Sequence, residues 1–105
     1  MTLELQGIIP ALITPFTAGG KAVDSRGLRA LVDFLVEQGV HGLVALGGTG
    51  EYVALRPKER RQVLEVAVEQ SAGRVPVLAG VLAPGMAEAQ ADMRLAQAVD
   101  HPRTE

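Results

Sequence analysis

Val40-His41-Gly42-Leu43-Val44-Ala45-Leu46 runs directly into Gly47-Gly48-Thr49-Gly50-Glu51. The first stretch is apolar and reads as a buried strand. The second is a Gly-rich turn, and a helical pattern rich in Glu, Arg and Val follows it. Such a turn at the carboxyl end of a strand lets backbone N–H groups come close to an anionic ligand. Thr49 adds a hydroxyl that donates, accepts or relays a proton. Parallel α/β proteins build their ligand sites at this end of the sheet. Gly48 and Thr49 are therefore the candidate ligand-binding residues. The same residues also fit a purely structural turn, in which Gly supplies positive φ and Thr49 caps the next segment.

The elements on either side alternate strand and helix. Residues 7–14, Gly-Ile-Ile-Pro-Ala-Leu-Ile-Thr, are almost wholly apolar, as in a strand buried on both faces, although Pro10 removes one ladder donor. Thr14 to Ala22 reads as a loop, with Pro15, Gly19 and Gly20 as breakers. Asp24 or Ser25 suits the N-cap of a helix whose Leu28, Leu31, Val32 and Leu35 share one face. Gly39 sits where a helix-ending glycine belongs. The strand at about 41–46 precedes a helix from Pro57 to Ser71 with Val63, Leu64, Ala67 and Val68 on its apolar side, closed by Ala72-Gly73. A third strand is expected over 75–81, a turn at Pro84-Gly85, and an Ala-rich helix from Met86 to Val99 packed through Met93, Leu95 and Ala96. The tail from His101 to Glu105 is polar and stops that helix. The order predicts right-handed crossovers and a parallel sheet in one domain.

Composition narrows the function classes. Hydrophobic residues make up 48% of the 105 residues and aromatics 3%, which suits Val/Leu/Ala strands covered by helices. The formal charge of −2 and the absence of a basic run argue against nucleic acid. With no Cys there is no disulfide framework and no thiolate metal site. His41 and His101 stand far apart, so no metal cluster is expected. Gly, Pro or charge interrupts every apolar run, so no membrane partner is expected, and the N-terminus lacks the pattern of a signal peptide. The default is a cytoplasmic chain. Gly-Gly-Thr-Gly has neither the Lys-Ser/Thr of a Walker A loop nor the spacing of a dinucleotide fold.

The turn also carries a resemblance. Gly47-Gly48-Thr49-Gly50-Glu51 is similar to the Gly-Thr-Thr-Gly-Glu signature of the dihydrodipicolinate synthase / N-acetylneuraminate lyase family. Gly7-Ile8-Ile9-Pro10-Ala11-Leu12-Ile13-Thr14-Pro15-Phe16 resembles that family's first strand and its Thr-Pro-Phe ending. Val23-Asp24, the Leu/Val-rich helix and Gly39-Val40-His41-Gly42-Leu43 follow the family's spacing. The likeness extends over residues 7–98. It implies an α/β fold, the N-terminal part of a (β/α)₈ TIM barrel. Such a barrel needs about 250 residues. The chain holds about three βα units of it, so residues 1–105 are expected to be a single partial domain truncated before the fourth strand, with open sheet edges that invite aggregation.

The resemblance further implies class I aldolase chemistry on pyruvate or a related 2-oxo acid, with no metal and no organic cofactor. A Lys amine condenses with the keto group, and the protonated imine draws electrons as a bond beside it forms or breaks. That amine must be neutral to attack, which calls for a desolvating pocket. In the family this Lys, and a proton-relaying Tyr, lie on later segments. Lys21 and Lys58 read as surface charges, and Tyr52 as a packing residue. The isolated chain is therefore expected to be inactive, although full-length relatives are commonly homo-oligomeric enzymes. Thr49 corresponds to the signature's second Thr, implicated in carboxylate binding and in the relay to Tyr. It is the candidate catalytic residue, with Gly48 and Thr49 as substrate-binding residues. Gly48 replaces the first Thr, deleting a hydroxyl while keeping the N–H, a form that resembles the branch dehydrating 5-dehydro-4-deoxyglucarate. Leu82, Pro84 and Met86 stand where the family usually has Gly, Asn and Thr. Glu51 and Thr14 are expected to support the turn by hydrogen bonding, and His41 to be structural. The alternative is a small non-catalytic α/β module that binds an anion at Gly48 and Thr49.

Overall fold

A computed structural model describes residues 5–83 and 85–100 of the chain. Within them the order is α1 (Ser25–Glu37), β1 (Leu43–Ala45), α2 (Pro57–Ser71), β2 (Val77–Ala79) and α3 (Met86–Asp100), with short 3₁₀ turns at Ala18–Gly20 and Tyr52–Ala54. The expected turn at Pro84-Gly85 and the polar tail fall partly or wholly outside the described residues.

The sheet is parallel, as the alternation predicts. Leu43, Val44 and Ala45 pair with Val77, Leu78 and Ala79. On its other side β1 meets the segment at 8–14, but only through one parallel bridge, between Ala11 and Val44. The Val44 N–H donates to the Pro10 carbonyl (2.9 Å) and the Leu12 N–H to the Val44 carbonyl (2.8 Å). The expected strand is thus an extended segment with a short ladder. One step back, the donor in this pattern would be the N–H of Pro10, which does not exist. One step forward, Leu46 has a φ of 65°, and the chain leaves the sheet. The strands expected at 41–46 and 75–81 likewise shrink to their central residues.

The helices cover one face. Leu12, Leu43 and Ala45 are buried in a cluster with Leu28 and Val32 of α1 and Val63, Leu64 and Ala67 of α2. Their alternates Ala11 and Ile13 are exposed, so the expectation of burial on both faces of this segment is corrected. An apolar run alone does not reveal how many layers flank it. In α3, Val99 reaches the core and Leu95 and Ala96 pack against it, whereas Met93, expected to pack, is exposed.

Local signals set the helix ends. Asp24 is the N-cap of α1, its carboxylate accepting from the Gly27 N–H at 3.0 Å. At the other end the Val40 N–H reaches the Leu35 carbonyl and the Gly39 N–H reaches the Val36 carbonyl, a Schellman closure with Gly39 at a φ of 89°. In α2, Glu59 accepts from the Arg56 N–H (2.8 Å), which ties the first turn back to its entry. Between α1 and α2, Arg29 pairs with Glu69 (2.9 Å), while Gln70 and Arg74 both bond Asp33.

A second, buried polar group joins α2 to α3. Arg60 and Asp92 are 8% and 9% exposed, and the Arg60 guanidinium lies 4.7 Å from the Tyr52 ring centre. The Arg60 Nη1 donates to the Leu55 carbonyl at 2.6 Å, and the Tyr52 hydroxyl donates to the Asp92 carboxylate. The Arg60 Nε, 3.5 Å from Asp92, is close enough to attract its charge but makes no hydrogen bond. Burial lifts the Asp92 carboxyl above its ordinary value of 3.8. The hydrogen bond from Gln70, with that from Arg74, lowers Asp33.

Two predictions follow from this packing. A Cβ on Gly80 would fall 2.3 Å from the Leu46 carbonyl oxygen, a backbone atom that cannot swing aside. Gly80→Ala should therefore lose about 1–3 kcal/mol in urea unfolding; an unchanged midpoint would disprove this close approach. The second concerns pH. The folded-state value of Asp92 is raised, so the native state holds its proton where the unfolded chain has lost it. Its contribution to stability is full below about pH 4 and declines as pH rises through the elevated value. For Asp33 the sign is opposite, with stability lost as pH falls through the lowered value. In urea midpoints measured from pH 3 to pH 7, Asp92→Asn should gain on the parent with rising pH and Asp33→Asn should gain with falling pH.

Candidate functional site

The Gly-rich turn stands at the carboxyl end of β1, the middle element of the sheet. Leu46 adopts left-handed backbone geometry (φ 65°), as does Glu51 (φ 63°), and the two bracket the turn. An L-residue pays about 1–2 kcal/mol for this conformation, so the neighbourhood has to impose it. The Thr14 hydroxyl donates to the Gly50 carbonyl at 2.6 Å in a buried bond, crossing from the end of the first segment. Gly50 is packed so closely that a Cβ would lie 3.0 Å from the Leu12 carbonyl. The Gly80 N–H donates to the Ala45 carbonyl at 2.8 Å, bringing the end of β2 beneath the turn. Within the turn, the Glu51 N–H reaches the Gly48 carbonyl (3.0 Å) and the Tyr52 N–H reaches the Gly47 carbonyl (3.4 Å).

Gly48 and Thr49 are exposed at the crest. Among the described residues, no protein acceptor takes either backbone N–H, and the Thr49 hydroxyl has no protein partner. Two donors and a hydroxyl without a protein partner on a pinned turn are groups that can hydrogen-bond an anion. A Cβ on Gly48 would meet nothing within 4 Å, so the space left by the missing side chain is open.

The other sequence candidates divide. Thr14 supports the turn as expected. His41 is structural, its Nδ1 accepting from the Ile8 N–H at 3.0 Å. Tyr52 is a packing residue, 4% exposed, with the added bond to Asp92. Glu51 departs from expectation. Its backbone supports the turn, but its exposed side chain makes no capping bond and lines a surface cleft of about 430 Å³ with Phe16, Lys21, Ala54 and Arg56. Lys21 and Lys58 are both exposed. Among the described residues no group of three or more His, Asp or Glu side chains could hold a metal ion, and no helix is long and apolar enough to cross a membrane.

Sequence reasoning missed the Tyr52–Arg60–Asp92 group. A signal was there. Arg60 shares the face of Val63, Leu64 and Ala67, and Asp92 that of Leu95, Ala96 and Val99, so both charges occupy core-facing positions.

Comparison with known proteins identifies the family and the fold. Residues 4–100 match the dihydrodipicolinate synthetase family. A 4-hydroxy-tetrahydrodipicolinate synthase of Methanopyrus kandleri is 49% identical over 76% of this chain and 27% of its own. The crystal structure of the chloride-inhibited dihydrodipicolinate synthase of Acinetobacter baumannii, complexed with pyruvate, superposes with a TM-score of 0.87 at 35% identity, covering 92% of this chain and 33% of the other. N-acetylneuraminate lyase of Mycoplasma synoviae superposes with a TM-score of 0.82 at 35% identity, covering 90% and 32%. The chain therefore spans about a third or less of the length of these relatives. Its fold is the N-terminal part of a (β/α)₈ barrel, with the Gly-rich turn at the carboxyl end of the second strand position. From the match over residues 4–100 and the shared fold, this chain belongs to the dihydrodipicolinate synthetase family.

Proposed function

We propose that these residues form the carboxylate-binding wall of a Schiff-base lyase or synthase acting on pyruvate or a related 2-oxo acid. The observation that carries this is the pair of unfilled N–H donors at Gly48 and Thr49, on a turn held by Thr14 at the carboxyl end of the central strand. A 2-oxo acid presents a carboxylate beside its keto group. Backbone donors and the Thr49 hydroxyl would hold the carboxylate by charge-assisted hydrogen bonds and so orient the keto carbon. Membership of the family supports a pyruvate-using lyase or synthase, and the pyruvate complex of the Acinetobacter relative suits the ligand class. Thr49 also has the chemistry for a proton relay, since its hydroxyl is free to accept from one group and donate to another.

The covalent step needs a Lys amine with a depressed pKa. Burial provides that, and neither Lys21 nor Lys58 is buried. We therefore assign the 105-residue chain a binding role without turnover. The relay to Tyr is likewise not assigned to Tyr52, whose hydroxyl is committed to Asp92.

Titrating the chain with pyruvate while recording backbone amide resonances should shift those of Gly48 and Thr49. Thr49→Ala should weaken binding about tenfold, the cost of one hydrogen bond to a charged acceptor. Gly48→Thr, which enters open space, should tighten it severalfold. Borohydride treatment with pyruvate should leave the mass of the chain unchanged. Shifts that bypass the turn would refute the carboxylate site, and a reduced pyruvate adduct would refute the absence of turnover chemistry.

A further inference from the structure

We propose that Tyr52 is a positioning residue for the anion-binding turn, acting through a buried hydrogen bond from its hydroxyl to Asp92 of α3. The proposal rests on the carboxylate role given above to Gly48 and Thr49.

The turn has two ends. Its interior is fixed by Thr14, which bonds Gly50. Its exit is Tyr52, which follows the left-handed Glu51 and donates its N–H to the Gly47 carbonyl. Where the Tyr52 ring goes, the exit of the turn goes. Arg60 lies over the ring and is itself held by the Leu55 carbonyl. The hydroxyl then reaches across to Asp92 of α3.

Packing alone does not require this chemistry. A Phe would fill the same volume, and apolar residues in place of Arg60 and Asp92 would avoid the cost of burying charge. A buried hydroxyl, carboxylate and guanidinium accept far fewer arrangements than an apolar cluster does, because each must keep its partner. The cluster therefore fixes the position of Tyr52 more narrowly than burial would. Two N–H groups that must point at one carboxylate need that precision, because a small rotation of the turn separates their directions. Arg60 and Tyr52 face Asp92 directly, and Lys58, Arg61 and Glu88 line the cleft beside it.

The test uses the chain and the amide resonances of Gly47 to Glu51, with and without pyruvate. Tyr52→Phe keeps the ring and removes the hydroxyl, Asp92→Leu removes the acceptor, and Asp92→Asn retains an acceptor oxygen. Tyr52→Phe and Asp92→Leu should each displace the ligand-free resonances of the turn and weaken pyruvate binding about fivefold. Asp92→Asn should stay within about twofold of the parent, and the double variant Tyr52→Phe/Asp92→Leu should be no weaker than either single one, as for residues acting through one bond. A role in stability alone would give neither the rescue nor the saturation. If Tyr52→Phe leaves the turn's resonances and the pyruvate affinity unchanged, the positioning role is overturned while the carboxylate site stands. If the parent's Gly48 and Thr49 resonances ignore pyruvate altogether, the carboxylate site falls, and the ligand-free spectra still decide whether Tyr52 fixes the turn.

Discussion

The central place of β1 governs the rest of the molecule. It is hydrogen-bonded on both sides, to Pro10 and Leu12 through Val44 and to β2 through Ala45 and its neighbours. A strand held from both sides cannot slide without breaking two ladders and turning its buried residues outward. Its carboxyl end is therefore a fixed point, and the turn from Gly47 to Glu51 begins there. Everything that gives the turn its chemistry is a device for keeping an intrinsically unfavourable backbone in one shape: the Thr14 bond, the close approach of Gly80 to Leu46 and the seating of Tyr52.

Apolar and polar forces divide the labour between them. The core of Leu12, Leu28, Val32, Leu43, Val63 and Leu64 supplies non-directional cohesion between sheet and helices. It sets which face of each element looks inward but leaves orientation loosely specified. Directional bonds then act at a few places. Thr14 bonds the turn and Tyr52 anchors its exit, and Arg29, Asp33, Gln70 and Arg74 link α1 to α2 and the turn after it at the surface. Exposed ion pairs of this second kind contribute little each. The buried pairing around Asp92 is of another order, because an unmatched charge there would carry its whole desolvation cost.

The use of glycine separates structure from function within a few residues. Gly80 is held to glycine by the Leu46 carbonyl, 2.3 Å from where a Cβ would be, and Gly50 is crowded by the Leu12 carbonyl at 3.0 Å. Gly48 is under no such constraint, since the space around it is open. Its lack of a side chain therefore has no packing explanation. A side chain at this position would stand over the open space beside Thr49 and not against the core.

Much of this was legible in the order of residues. The helix α2 was readable to its ends because Pro57, Glu59 and Ala72-Gly73 are local signals that no distant contact overrode. The cap at Asp24 and the closure at Gly39 were readable for the same reason, as was the Gly-rich turn itself. Strand lengths were not. They depend on which donors find partners across the sheet, and Pro10 and Leu46 ended the ladder in ways that hydrophobicity does not encode. Tertiary structure alone decided that the Glu51 side chain makes no capping bond and that Tyr52, Arg60 and Asp92 come together; it also gave the support expected of Thr14 its acceptor, the Gly50 carbonyl 36 residues away. Sequence determines what a residue is able to bond and how the chain near it bends. Which partner it obtains is settled only when distant segments are packed, because long-range contacts depend on the arrangement of the whole core and not on the spacing of neighbours.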